Sequence, residues 1–130
     1  MLLDTDICIL LMMGAPSVIL QFAKHGPDTV FMSAISYHEL LYGALHSGAV
    51  EKHLATLAKF IKPLTILPFT QASADFASPV RQSLAAIGQS IGPLDTLIAG
   101  HALEHKLTLV TRNTREFSRV RDLSLQDWSQ

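Results

Sequence analysis

Met1-Leu2-Leu3-Asp4-Thr5-Asp6-Ile7 is the stretch whose reading decides the fold. A short apolar run, cut off by two acids and followed by the apolar residues 7–13, reads as a buried parallel strand that passes directly into a helix. That reading sets Asp4 at the carboxyl end of the strand, the edge at which open α/β sheets bind their ligands. Burying an unpaired carboxylate is expensive, so Asp4 in this position calls for a cation. Asp6 has a simpler explanation as the cap of the helix over 7–13.

Outward from this opening, Gly14 ends the first helix and Pro16 starts a second over 17–24. After the turn Gly26-Pro27-Asp28, the β-branched and aromatic residues 29–32 predict a second buried strand. A third helix begins near Ser36 and a fourth spans 50–61, the two forming a helical hairpin. Residues 64–67 predict a third strand and 70–87 a long helix, kinked or broken near 77–78 by Pro79. Pro93 opens a helix over 94–105, then come a strand at 108–110, a loop or short helix at 113–119 and an edge strand at 123–125. Strands alternating with helices predict one three-layer α/β domain, its parallel sheet covered on both faces.

Composition agrees with a single packed domain. Of 130 residues, 48% are hydrophobic and 16% charged, which excludes a disordered chain and implies heavy burial, including a subunit or partner interface. The uncharged segment 7–22 lies behind two acids and contains Gly14 and Pro16, so it is read as neither a signal peptide nor a membrane span. Cys8 is the only cysteine, which points to a reducing, cytoplasmic setting and to a small core residue. A formal net charge of −1 argues against gripping nucleic acid by bulk attraction. Five of the ten basic residues, Lys106, Arg112, Arg115, Arg119 and Arg121, nevertheless fall in the last quarter, as a phosphate-facing patch or a solvated face.

Two further acids are placed to join Asp4. Ser36-Tyr37-His38-Glu39 matches a capping box, yet a first-turn glutamate after a buried strand also points along the edge that carries Asp4. Asp95, in Gly92-Pro93-Leu94-Asp95, sits in a first helical turn, where the helix dipole favours a carboxylate and a rigid Gly-Pro entry fixes it. Three carboxylates share a small site only if a divalent cation neutralises them. Oxygen ligands suit Mg²⁺ or Mn²⁺, and the chemistry such a site serves is attack of water on a phosphodiester.

Leu3-Asp4-Thr5-Asp6, Ser33-Ala34-Ile35-Ser36 through Glu39-Leu40-Leu41-Tyr42-Gly43, Ile91-Gly92-Pro93-Leu94-Asp95 through Ile98-Ala99, and Leu109-Val110-Thr111-Arg112-Asn113-Thr114-Arg115-Glu116-Phe117 resemble, in order, the motifs of PIN-domain ribonucleases. The closing Asp127-Trp128 is similar to the ending of VapC-type toxins within that family. The resemblance covers essentially the whole chain. It implies a PIN-like α/β/α fold with a short central parallel sheet and a Mg²⁺- or Mn²⁺-dependent endoribonuclease. Its metal-binding acids here would be Asp4, Glu39 and Asp95, in a homodimer held inactive by a cognate antitoxin and acting on a structured RNA such as a tRNA. The chain departs from the pattern at Asp6, where the family commonly has Asn, and at Asn113, where it commonly has an acid; Glu116 is then the candidate for the missing charge. Thr5 and Thr111 are candidates for orienting the carboxylates or water, and Arg112 and Arg115 for contacting phosphates.

Three rival readings start from other residues. Asp4-Thr5-Asp6 also looks like the opening of haloacid-dehalogenase-type phosphatases, although Ile7 stands where that motif has glycine. His101-Ala102-Leu103-Glu104-His105 matches the H-x-x-E-H zinc peptidase pattern. An α/β domain that binds a cation or a basic partner segment without catalysis is the third. Trp128, Tyr37 and Tyr42 read as packing anchors.

Overall fold

The computed structural model describes residues 1–130. Five strands, β1 (Leu2–Leu3), β2 (Phe31–Ser33), β3 (Thr65–Leu67), β4 (Leu109–Val110) and β5 (Leu125–Gln126), form one sheet in the order β3-β2-β1-β4-β5. Every pairing is parallel, so each connection crosses over one face and all carboxyl ends lie on one edge. β1 is central, with Leu3 in register with Met32 on one side and Val110 on the other.

The helices are α1 (Thr5–Met12), α2 (Pro16–His25), α3 (Ala34–Leu45), α4 (Val50–Ile61), α5 (Gln71–Ala86), α6 (Pro93–His105) and α7 (Thr114–Phe117), with a 3-10 turn at Pro27–Thr29. They cover the sheet in two layers, and the twofold alternation of strand side chains assigns residues to each. Leu3, Met32 and Val110 pack with Ile7, Cys8, Val18, Leu40 and Leu57 in one core. Leu2 and Leu109, one step away in their strands, pack with Val80, Leu84, Ile98, Ala99 and Phe117 in the other. The three-layer parallel architecture predicted from the alternation of elements is the one observed. Cys8 is fully buried, as expected of a core thiol, and Trp128 is buried against His25, their rings 5.0 Å apart. Tyr42 does not anchor packing; it is 59% exposed and stacks on His46.

Local differences from the sequence reading have identifiable causes. Asp4, rather than Asp6, caps α1, because its extended backbone brings Oδ1 within 2.8 Å of the Thr5 amide, which donates to it. Ser33, rather than Ser36, caps α3: it ends β2 in an extended conformation and its Oγ accepts from the Ile35 amide at 3.0 Å, while Ser36 lies fully buried in the first turn. α5 runs unbroken through Pro79. The carbonyl that loses its helical donor there belongs to Asp75, which is exposed, so its missing N–H partner leaves no buried polar group unsatisfied. α5 and α6 pack so closely that a Cβ placed on Gly100 would lie 2.4 Å from Ala77 Cα. No single helix is long and apolar enough to cross a membrane; α1 and α2, the one pair apolar enough together, bend by 105°.

Candidate active site

β1 and the cap of α1 fix Asp4. Its side chain is 6% exposed at the carboxyl end of the central strand, Oδ1 taking the Thr5 amide and Oδ2 the Thr111 hydroxyl, both at 2.8 Å. Burial, reinforced by the charge of Asp6, raises its pKa to about 7 against those two hydrogen bonds, and Asp95 adds to the rise. The sequence reading demanded a cation for this buried acid. The fold supplies two donors, and the part of the burial penalty they do not offset appears as a raised pKa.

Four more carboxylates lie on the same edge, Asp6 and Asp95 acting on Asp4, and Glu39 and Glu116 on Asp95. Glu39 lies in the second turn of α3, because the helix starts two residues earlier than predicted; released from any capping role, its Oε1 accepts from the Thr5 hydroxyl at 2.8 Å. Asp95, in the first turn of α6, is raised by burial and then by repulsion from Glu39, Glu116 and Asp6. Glu116 on α7 accepts from Asn113 Nδ2 at 2.8 Å through Oε2. Asp6 is turned toward the β4 loop, where the Arg112 amide donates to Oδ2 at 3.0 Å; its Oδ1 is buried and has no partner. Burial also raises the Asp6 pKa, opposed by the amides of Arg112 and Ile7 and by the Arg112 charge, with Asp127 pushing upward.

Each predicted site residue except the outlying basic ones thus reaches one edge. Thr5 and Thr111 orient Glu39 and Asp4, and Asn113 orients Glu116. Arg112 and Arg115 are exposed on the loop and helix that carry Asn113 and Glu116. Lys106, by contrast, closes the far end of α6, and Arg119 reaches the Ser90 carbonyl at 3.4 Å, so these two do not belong to a patch around the acids. No lysine or arginine side-chain nitrogen comes within 4.0 Å of any carboxylate in the cluster, the sole ion pair at that distance in the molecule being His105 with Glu104. Nor do three of the clustered acids close to within 4.8 Å of one another. Five acids therefore gather on one edge with no basic side chain in contact, the Arg112 charge acting on Asp6 from farther off, which is the electrostatic setting of a divalent-cation site.

Two supporting contacts go beyond the sequence reading, which had only the Gly92-Pro93 entry as a device for fixing Asp95. Gly92 precedes α6, and a Cβ there would lie 3.3 Å from Asp95 Oδ2, so glycine leaves the carboxylate room. Ser33 touches His101 Nδ1 at 2.8 Å while capping α3. The Gly-Pro entry to α6 hints at the first; nothing in the order of residues signals the second.

Residues 1–123 match the PIN domain family. The chain is 37% identical over 128 residues to the tRNA(fMet)-specific endonuclease VapC of Shigella flexneri, covering 98% of this chain and 97% of that one. It is 35% identical over 127 residues to ribonuclease VapC2 of Haemophilus influenzae, covering 98% and 96%. A solved structure of DNA-bound VapBC from Salmonella typhimurium superposes with a TM-score of 0.93 at 36% identity, covering 98% of this chain and 96% of that one. These relatives do not support the phosphatase and non-catalytic readings of the Asp4-Thr5-Asp6 opening. The order of motifs, the short parallel sheet and the acids on its carboxyl edge agree with full-length similarity, and the chain belongs to the PIN-domain family, among the VapC ribonucleases of toxin–antitoxin systems.

Proposed function

We propose that the chain hydrolyses phosphodiester bonds in a structured RNA such as a tRNA, using Mg²⁺ or Mn²⁺ held by Asp4, Glu39 and Asp95. The observation that carries this reading is the gathering of five carboxylates, one with a buried oxygen lacking a partner, where no basic side chain comes within 4.0 Å. The donors are all oxygens, which suits a hard cation. When bound, such an ion lowers the pKa of water and stabilises charge on the phosphate.

The chain's own residues perform the rest. Thr5 and Thr111 hold Glu39 and Asp4 in single orientations by donating to one oxygen of each. Asp4 keeps a proton up to about pH 7 and must release it before its oxygen serves as a ligand, so affinity for the ion rises with pH. Glu116, steered by Asn113, supplies the charge that Asn113 itself lacks. Arg112 and Arg115, exposed beside Asn113 and Glu116, contact phosphates of the substrate, and substrate choice follows from RNA shape more than from overall charge.

The natural restraint on this activity is an antitoxin. A cavity of about 690 Å³ opens between α1, α3 and α4, with Ile9, Met12 and Leu40 on its apolar wall and Glu39 at its edge. An antitoxin segment with apolar side chains and one basic residue would fill it and cover the acids. The deciding experiment incubates the purified protein with total RNA in Mg²⁺, Mn²⁺ or EDTA, beside Asp4→Asn and Asp95→Asn. Cutting is expected from the wild type with metal only, and cutting that survives in both variants overturns the reading.

A further inference from the structure

The carboxyl-terminal half of α6 carries a second set of ligand atoms that the acidic pocket does not use. His101, Glu104 and His105 each present one, and the three lie within 4.8 Å of one another, the only such group in the molecule. Their spacing of three and four residues puts them on one helical face.

His101 is fully buried, and its Nε2 has no hydrogen-bond partner. Its Nδ1 lies 2.8 Å from Ser33 Oγ, which already accepts from the Ile35 amide and has one lone pair left. With a metal on Nε2, Nδ1 carries the proton and donates it to that lone pair, so Ser33 fixes the ring in the orientation a metal-binding histidine needs.

The other two groups are similarly prepared. Ser73 on α5 donates to Glu104 Oε1 at 2.6 Å, leaving Oε2 without a partner in the fold. His105 Nε2 is 3.4 Å from the same Oε1, and the two imidazole rings are 5.2 Å apart. His105 is 38% exposed, which provides a path of entry from solvent.

We propose that His101, Glu104 and His105 bind Zn²⁺, with solvent as the fourth ligand, at a site distinct from the acidic pocket. Two imidazoles and one carboxylate in tetrahedral geometry are a set that zinc accepts, whereas the acidic pocket offers only oxygen. The site begins six residues beyond Asp95 on the same helix, about 9 Å along its axis at the standard rise. Through Ser33 and Ser73, it clips the end of α6 to the end of β2 and to the first turn of α5.

The test uses the full chain and the metal alone. Zn²⁺ is titrated calorimetrically, and Co²⁺ is added as a spectroscopic substitute, to the wild type, His105→Ala, Glu104→Gln and the double variant Asp4→Asn/Asp95→Asn. Wild type and double variant are expected to bind one equivalent alike and to show the intense visible absorption of tetrahedral cobalt. His105→Ala, at an exposed position, should fold normally, weaken binding by at least tenfold and abolish that absorption. Zn²⁺ should raise the melting temperature of the double variant and leave His105→Ala unmoved. Loss of the ion in the double variant, equal binding by His105→Ala, or absence of tetrahedral cobalt from the wild type each overturns the proposal.

Discussion

Thr111 donates its hydroxyl proton to Asp4 Oδ2 across 2.8 Å, joining residues 107 positions apart in the chain. The bond favours the ionised carboxylate and so opposes the burial that lifts its pKa to about 7. Thr111→Val keeps the shape and removes the donor, so Asp4 should hold its proton to still higher pH. The expected result is a pH profile of metal-dependent RNA cleavage displaced toward the alkaline side by roughly one unit, the worth of one hydrogen bond to a charged group. A profile that stays in place shows that Asp4 does not govern it.

The same raised pKa has a sign for stability. Asp4 binds its proton more tightly in the fold than in the unfolded chain, so it favours folding below the ordinary carboxylate pKa of 3.8, and this contribution is lost as pH rises to about 7. Asp4→Asn retains a cap for α1 and never becomes charged. It should be inactive and yet, without metal, more stable than the wild type at about pH 8, by at most about 4 kcal/mol, with the gap closing near pH 4. Urea unfolding at both pH values measures this, and a less stable Asn variant at the higher pH contradicts the burial argument.

Gly92→Ala tests the room left for Asp95. The backbone there is ordinary at φ −55°, so alanine is not strained, but its Cβ would come within 3.3 Å of Asp95 Oδ2 and press the carboxylate aside by a few tenths of an ångström. The variant should melt like the wild type and cleave RNA roughly tenfold more slowly, given that misplacement of about 1 Å can cost a hundredfold. Normal cleavage would show that the acid tolerates the shift.

Gly100→Ala probes packing away from the acids. Its Cβ would meet backbone atoms of Ala77 at 2.4 to 2.6 Å, where the contact is with main chain and a methyl group rather than with the end of a flexible side chain. Separating α5 from α6 should cost about 3 kcal/mol or more in a denaturant melt. Loss below about 1 kcal/mol would mean that the pair slides apart easily.

Much of the architecture was legible because burial leaves its mark on the order of residues. Leu2-Leu3, Phe31-Met32 and Leu109-Val110 are apolar at every position, as strands covered on both faces must be, and the intervening helices carry caps and breakers. Helix starts were less legible, since Ser33 and Ser36 are equally good caps on paper. Only the strand that ends at Ser33 decides between them, and that decision frees Glu39 for Thr5. Asp4, Glu39 and Asp95 could be singled out as acids beside apolar runs. Their bonds could not, because Thr111 and Arg112 reach Asp4 and Asp6 through pairings set by the sheet rather than by proximity in sequence.

Because β1 lies between β2 and β4, one of its two neighbours comes from close by in the chain and the other from far away. Asp4 gains its Thr111 donor only once β4, 107 residues further on, has docked beside β1. Until that long-range pairing closes, the acids on different segments stay apart, and competence for cleavage is expected to arrive late in folding, with the sheet itself.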